Sequence, residues 1–200
     1  MWYKKRVWLL GVIGRLVWIG FWSLWAFISF LLVLPWAVVR AVGSDTLKLS
    51  LQKHCAHTFR VYLQNLGATF IKVGQILSTR PDIIADVLIQ ELTELQDHVP
   101  PFSFWSVKRV IAKDLGKPLD AVFSQFEKKP IASASVAQVH RAVLKDGTVV
   151  AVKTRRPNVI MQAAFDEYIM LLLARLISWI PTVEMLAPKE TIHEFCVAVR

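Results

Sequence analysis

The sequence predicts an α+β fold made of an N-terminal membrane helix, a helical extension and a small antiparallel sheet with further helices. Three observations predict it. A long uncharged run lies near the N-terminus, amphipathic patterns with three- and four-residue steps fill residues 44–116, and β-branched runs surround an Asp-Gly pair after Pro118. We therefore divide the chain into segments 1–43, 44–116 and 117–200.

The charge of the chain is concentrated near its N-terminus. The 200 residues carry a net charge of +9, and 54% of them are hydrophobic, which is enough for a packed core. Residues 1–43 hold five Lys and Arg and no acid, which leaves +4 for the other 157. Because this excess flanks an apolar run and no basic-aromatic stripe accompanies it, we do not expect nucleic-acid binding. Cys55 and Cys196 form no disulfide framework, which indicates a reducing compartment.

The apolar run predicts a membrane helix. Residues 16–39 carry no charge, and these 24 residues, at about 1.5 Å each, can cross a hydrocarbon core of about 30 Å. Basic residues on both flanks and six tryptophans favour membrane association over a cleaved signal peptide, whose apolar part is shorter. Because Arg15 interrupts the longer run 7–39, an interfacial helix followed by a span is the alternative. Basic flanks on both sides leave the orientation open.

Caps and stop signals predict four helices in the extension. Ser44 and Asp45 cap the first, Gly67 ends it, Pro81 opens the third, and Gly116 ends the fourth. The predicted helices cover residues 44–66, 68–80, 81–97 and 103–115.

The rest of the chain predicts a sheet followed by helices. The stretch at 122–132 supplies a first strand, and Asp146-Gly147 predicts a hairpin between "AQVHRAVL" and "TVVAVKT". We expect three sequential antiparallel strands, with a small-residue loop at the first turn. Pro157 then starts a helix, and Pro188 starts another.

The small-residue loop stands where a phosphate-binding loop is expected. It reads "IASASVAQVH" at 131–140 and contains no glycine, although phosphate loops usually use glycine for close backbone approach. A strand, this loop, a hairpin and the lysine of "VAVK", Lys153, follow in the order found in the N-lobe of kinase-like folds. Taken alone, "VAVK" also fits a buried strand whose lysine extends into solvent.

Four motifs together resemble the UbiB/AarF family of atypical kinase-like proteins. They are "KVGQILSTRPD" (72–82), "LQDHVPPF" (95–102), "PIASASVAQVH" (130–140) and "VAVKTRRPNV" (150–159). The K-x-G-Q helix upstream of an alanine-rich loop distinguishes this family, and the resemblance covers about residues 50–196. It implies a truncated kinase-like N-lobe. The membrane segment lies outside the match, since family members more often carry theirs at the C-terminal end.

The resemblance also implies site residues. Lys72 and Gln75 would lie on a helix across the substrate side of an ATP pocket, with an occluding or regulatory role. A loop with Cβ atoms is stiffer than a glycine loop, and Lys72 adds a second cation where a protein substrate would otherwise enter. The stiff loop and the added cation both favour ATP hydrolysis or a small lipid-related substrate over protein phosphorylation. The family supports ubiquinone biosynthesis. The residues expected to bind ATP are Ile131, Ala132, Ser133, Ala134, Ser135, Val136, Ala137, Gln138, Val139 and Lys153.

Simpler interpretations stay open for several residues. Lys72 suits the solvated face of a helix, and Ser133 and Ser135 suit turn formation as well as phosphate contact. His140 is better explained as a hydrogen-bonded core residue than as an acid or base. His54 and His57 with Cys55 between them suggest a metal site, but one helical turn supplies only two good ligands, which favours a solvated face.

We expect the catalytic half of a kinase-like site to be missing from these 200 residues. The family implies Mg²⁺, whose Asp and Asn ligands follow the N-lobe, and its E-x-D element, expected on the helix that begins near Pro188, does not occur in "HEFCVAVR". No Glu has a diagnostic spacing as the partner of Lys153; the candidates are Glu167, Glu184, Glu190 and Glu194. We expect a partial sequence, a truncated product or a non-catalytic adaptor. Expected partners are a membrane, other quinone-biosynthesis proteins or an isoprenoid lipid, with the nucleotide-facing domain on the cytoplasmic side of a bacterial inner membrane.

Overall fold

The computed structural model describes residues 2–40, 45–82 and 84–177. Within them the chain is α+β, as predicted, with an apolar N-terminal helix and a small antiparallel sheet. The predicted helix at Pro188, Cys196 and the glutamates at 184, 190 and 194 lie outside these residues. The elements in chain order are α1 (Trp2–Arg40), α2 (Asp45–Leu66), α3 (Ala68–Leu77), α4 (Asp86–Asp97), α5 (Phe104–Leu115), α6 (Leu119–Val122), β1 (Phe123–Phe126), β2 (Ala132–Ser133), β3 (Ala137–Leu144), β4 (Val149–Arg155) and α7 (Val159–Ile177).

The packing divides the described residues into two compact units. The first unit comprises the described parts of 1–92 and 160–177, and the second comprises residues 93–159. The first unit therefore contains α1, α2, α3 and most of α7. The second contains α5, α6 and the whole sheet. This division by packing differs from the division by sequence pattern at 43 and 116.

In the first unit, α1 and α2 form an antiparallel pair. Trp18 Nε1 donates to the backbone oxygen of Asn65 at 3.0 Å, and the hydroxyls of Ser23 and Tyr62 lie 2.9 Å apart. Along α1 the contact residues run from Trp18 to Ser23, while their partners on α2 run from Asn65 back to Tyr62. The two helices therefore run in opposite directions. Gly67 separates α2 from α3 with φ at +99°, a backbone conformation that side chains with a Cβ disfavour.

In the second unit, the sheet has β3 at its centre. β4 pairs with β3 along residues 137–143, so it occupies one edge of that strand. β1 and β2 pair with opposite ends of β3 and share its other edge. The two strands of the predicted hairpin are confirmed as β3 and β4. The first strand, predicted over 122–132, is shorter than predicted and covers Phe123–Phe126, and the loop adds the two-residue strand β2. The core beneath one face of the sheet is formed by Val107, Ile111, Phe123 and Ala142.

The predicted end of α5 is confirmed. Ser103 caps it by accepting a hydrogen bond from the Ser106 backbone nitrogen, and Gly116 ends it in the left-handed region, at φ 67°.

The predicted start at Pro81 is wrong, because α4 begins at Asp86. Arg80 and Asp82 form an ion pair at 2.7 Å instead. Residues two apart do not face each other on a helix, so this pair belongs to a turn. The helix at 68–80 ends earlier than predicted, at Leu77, and α6, which was not predicted, adds one turn after Pro118.

Candidate nucleotide-binding site

Lys153 lies in one row with residues of the loop and of the central strand. The register places Ala132 opposite Val139, and Val139 opposite Lys153. Directly opposed residues of antiparallel strands point to the same face of a sheet. Because neighbouring strands are about 4.8 Å apart, the Cα atoms of Ala132 and Lys153 are separated by about 10 Å. The loop and the lysine therefore present their side chains on the same face.

This face of the sheet points away from the core of the second unit. Residues 149, 151, 153 and 155 of β4 are all exposed, whereas the alternate positions are partly or fully buried. Ala151 lies opposite Arg141 on this face, next to the row of Lys153. Lys153 forms no ion pair with any carboxylate in the described part of the chain. The face thus combines small apolar side chains with an accessible ammonium group, which suits the base and the phosphates of a nucleotide.

The loop adopts its shape without left-handed backbone. The Ala134 nitrogen donates to the Ala137 oxygen at 2.8 Å, which closes a tight turn, and the Ile131 nitrogen donates to the Val139 oxygen at 2.8 Å. Among the described residues, Asn158 is the only non-glycine residue with positive φ. Every residue of the loop therefore has a conformation open to alanine and serine. This explains how the loop dispenses with glycine.

Two of the predicted ATP-binding residues direct their side chains to the opposite face. Ser133 pairs with Gln138, and Gln138 pairs with Thr154, in the row next to that of Lys153. The Oε1 of Gln138, which is buried, accepts from the Phe102 nitrogen at 3.0 Å, and its Nε2 donates to the Phe102 oxygen at 3.3 Å. The side chain of Gln138 is thus a structural link. For Ser133 and Gln138, only the backbone remains a candidate for nucleotide contact.

His140 is a core residue, as predicted. Its ring is fully buried and packs against Phe104 and Phe126. Its Nδ1 lies 2.8 Å from the Glu127 carbonyl oxygen, which can only accept, so Nδ1 carries the proton. The Nε2 atom then accepts from Gln138 at 2.9 Å. Both ring nitrogens are used in the interior, which leaves none for proton transfer to a substrate.

Arg156 anchors the loop, a role that no pattern in the sequence indicates. Its Nε donates to the Ser135 oxygen at 3.0 Å, and its Nη2 donates to the Pro100 oxygen at 3.0 Å. Its backbone nitrogen donates to the Val136 oxygen at 2.8 Å, and its guanidinium lies over the Phe102 ring. Burial lowers the pKa of Arg156, but an arginine remains charged. One side chain therefore fixes the loop to the segment that precedes α5.

Lys72 and Gln75 lie on α3 in the first unit, whereas the loop and Lys153 lie in the second. Both side chains are half-buried, and Gly74 between them is buried. That α3 covers the nucleotide pocket stays a prediction.

The described residues offer few metal ligands. They contain no group of three His, Cys, Asp or Glu side chains that could hold a metal ion. His54 contacts Thr58, while His57 lies near Arg60 and Glu91. On the Lys153 face, Glu127 is paired with Arg141 at 3.0 Å. That face does not present the set of oxygen ligands that Mg²⁺ requires.

Comparisons with known proteins agree with the motifs. Residues 94–200 match the ABC1 atypical kinase-like domain. The uncharacterized protein sll0005 of Synechocystis is 40% identical over 84% of this chain and 23% of its own length. The probable protein kinase UbiB of Pseudomonas fluorescens is 44% identical over 76% of this chain and 27% of its own. Protein ACTIVITY OF BC1 COMPLEX KINASE 7, chloroplastic, of Arabidopsis thaliana is 43% identical over 66% and 18%. The chain thus spans about a quarter of the length of these relatives.

Proposed function

Because the chain belongs to the ABC1 atypical kinase-like family, we propose that it carries the ATP-binding part of a UbiB-like atypical kinase or ATPase. The proposed activity supports ubiquinone biosynthesis at a membrane. The observation that carries the proposal is the row formed by Ala132, Val139 and Lys153 on the exposed face of the sheet.

The lysine, the loop backbone and the small apolar side chains each have a separate proposed role in ATP binding. Lys153 supplies a cation on a regular strand, where its position is fixed by pairing on β3. The loop at 132–137 lies on the other side of β3, and its backbone groups complete the phosphate contacts. Val139 and Ala151 offer a small apolar surface for the purine ring. Phosphate binding by a strand lysine beneath a loop is the arrangement used in kinase-like phosphoryl transfer.

The anchored loop favours a particular kind of chemistry. A glycine-rich loop can adapt to its ligand, whereas this loop has a Cβ on every residue. Arg156 also holds it at the carbonyl groups of Ser135 and Val136 and ties it to that of Pro100. We infer that the γ-phosphate is held in one place, for hydrolysis or for transfer to a small lipid-related acceptor. Mg²⁺ would neutralise charge on the phosphates, with ligands from outside the described residues.

Replacing Lys153 by Met tests the proposal. The change keeps most of the aliphatic stem and removes the ammonium group, and Lys145→Met at the hairpin turn is the control. Binding of a fluorescent ATP analogue to the purified full-length protein is measured in detergent. A hydrogen bond to a charged group contributes about 1.5–3 kcal/mol, so we expect the dissociation constant to rise about 10- to 100-fold for Lys153→Met and to stay unchanged for Lys145→Met. Equal affinity of both variants, with melting curves showing that both are folded, would refute the proposal.

A non-catalytic membrane adaptor is the second candidate function. It is favoured by a cavity of about 300 Å³ in the first unit, lined mainly by apolar atoms of α1 and α2. Such a cavity suits part of an isoprenoid lipid. Ala26→Phe would fill it, so farnesol binding should be lost in this variant and unaffected by Lys153→Met. ATP binding that is absent in the wild-type protein, together with farnesol binding that Ala26→Phe abolishes, would favour the adaptor.

A further inference from the structure

The helix α1 contacts the rest of the first unit along most of its length. Near its start, Trp8 packs edge-on against Tyr168 with ring centroids 4.7 Å apart, and a Cβ on Gly11 would collide with the Phe165 ring. Further along, hydrogen bonds join it to α2. The contact positions recur at steps of three to five residues, as one helical stripe: Trp8, Gly11, Arg15, Trp18, Ser23, Ala26 and Phe30.

One of these contacts is a buried ion pair. Arg15 Nε donates to Asp166 Oδ1 at 2.6 Å, and its Nη2 donates to Oδ2 at 2.9 Å and to the Leu66 carbonyl oxygen. Arg15 is 8% exposed and Asp166 is 1% exposed. The charge that interrupts the apolar run is therefore used to bind α1 to α7 and to the end of α2.

The opposite side of α1 is apolar and exposed. Leu10, Val17, Leu24 and Leu31 follow one another at intervals of seven residues, so they lie on nearly the same face. Their exposed fractions are 69, 66, 57 and 43%. Within residues 7–33 there is no acidic side chain, and Arg15 is the one basic side chain. Apart from the paired Arg15, residues 1–43 contain four cations, at 4, 5, 6 and 40, and no acid, which matches an anionic lipid surface.

The pairing of α1 with α2 argues against a simple crossing of the membrane. The stretch 7–33 is long and apolar enough to cross. However, α2 runs antiparallel beside it from the position of Phe30 to that of Trp18 and carries Lys53, His57 and Arg60. If α1 crossed the bilayer with this packing intact, these polar groups would enter the hydrocarbon region, where charged side chains are costly.

We propose that α1 lies in the plane of a membrane interface, with its outward face among lipid tails and with α2 and α7 on the water side. The occupant of the exposed face is an anionic lipid bilayer. The inference rests on the membrane location in the proposed function, but it does not depend on ATP binding, so the two can fail separately.

Depth measurements distinguish a helix in the plane from one that crosses. The full-length protein, with its two cysteines replaced by serine, receives one labelled cysteine at a time and is reconstituted in phosphatidylcholine and phosphatidylglycerol vesicles at a ratio of about 3:1. Quenching by lipids brominated at different depths then locates each label. Leu10 and Leu31 are 21 residues apart, so a crossing helix would separate them by about 31 Å. The labelled positions are Leu10, Val17, Leu24 and Leu31.

We expect all four labels at one shallow depth. A deep Leu24 label with Leu10 and Leu31 near opposite surfaces would overturn the proposal in favour of a span. Four labels that no lipid quenches would overturn it in favour of contact with a second copy of the chain.

Charge substitutions test the same face by binding. Val17→Glu with Leu24→Glu should lower partition onto these vesicles at least about tenfold, because two charges enter the buried apolar surface. Trp105→Glu with Leu115→Glu is the matched control, since it places two charges at exposed apolar positions of the second unit. Circular dichroism confirms that each variant is folded. Partition that falls equally in both variants, or in neither, would refute the assignment of this face.

Discussion

Separating Arg15 from Asp166 should be among the most damaging single changes in the first unit. In Arg15→Leu the Asp166 carboxylate, which is 1% exposed, loses both of its bonds to the guanidinium. An uncompensated buried charge costs about 3–5 kcal/mol. For a chain of 150–250 residues, 1 kcal/mol corresponds to about 2–4 °C in melting temperature, so we expect a loss of about 6–20 °C.

A double-mutant cycle isolates the ion pair. Arg15→Leu with Asp166→Leu removes both charges, and its main remaining cost is the Leu66 carbonyl that loses its donor, about 1–3 kcal/mol. The double variant should therefore be more stable than either single variant. The assay is thermal unfolding of the full-length protein in detergent, followed by tryptophan fluorescence.

The exposed pair of Arg141 and Glu127 provides the control. Its side chains are 50% and 48% exposed, so Arg141→Leu should cost no more than about 1 kcal/mol. Additive losses for Arg15→Leu and Asp166→Leu, or a loss for Arg15→Leu no larger than that for Arg141→Leu, would contradict the buried pairing.

Two further predictions concern the second unit. Gln138→Leu should lower stability by about 1–3 kcal/mol, because the partly buried Phe102 backbone nitrogen loses its acceptor, and should leave the ATP dissociation constant of the folded protein unchanged. Exposed Gln125→Leu should change neither quantity, and weaker ATP binding by the Gln138 variant would show a direct role of that side chain. The Thr148 backbone nitrogen donates to Asp146 and lowers the pKa of that carboxyl. The resulting stabilisation is present above the unfolded pKa and is lost as pH falls through the folded pKa. Titration of Asp146 by NMR should thus give a midpoint below that of the unfolded chain, and an equal midpoint would contradict the bond.

Features that depend on neighbouring residues were predicted well. Ser103 caps α5, Gly116 ends it, and Gly147 turns the hairpin with φ at +89°. Each of these depends on the chemistry of a few consecutive residues. The start of α4 was misplaced because a proline is compatible with either a helix start or a turn, and here Pro81 lies in a turn in which Arg80 pairs with Asp82.

Features that join distant segments were not predicted. Gln138 bonds to a residue 36 positions away, Arg156 to one 56 positions away, and Arg15 to one 151 positions away. No spacing in the sequence encodes these distances. Strand alternation does separate Gln138 from Lys153, but only after the register between β3 and β4 is known, since a shift of one residue reverses every side chain.

The double use of α1 affects how a water-soluble version of the protein should be made. Deleting residues 1–40 would remove the exposed apolar surface of α1. It would also leave the Asp166 carboxylate without its partner Arg15 and expose the rings of Phe165 and Tyr168 on α7. A preparation cut in this way would aggregate for reasons unrelated to lipid. Keeping α1 and replacing its outward-facing leucines by polar residues would retain the contacts of this helix with α2 and α7.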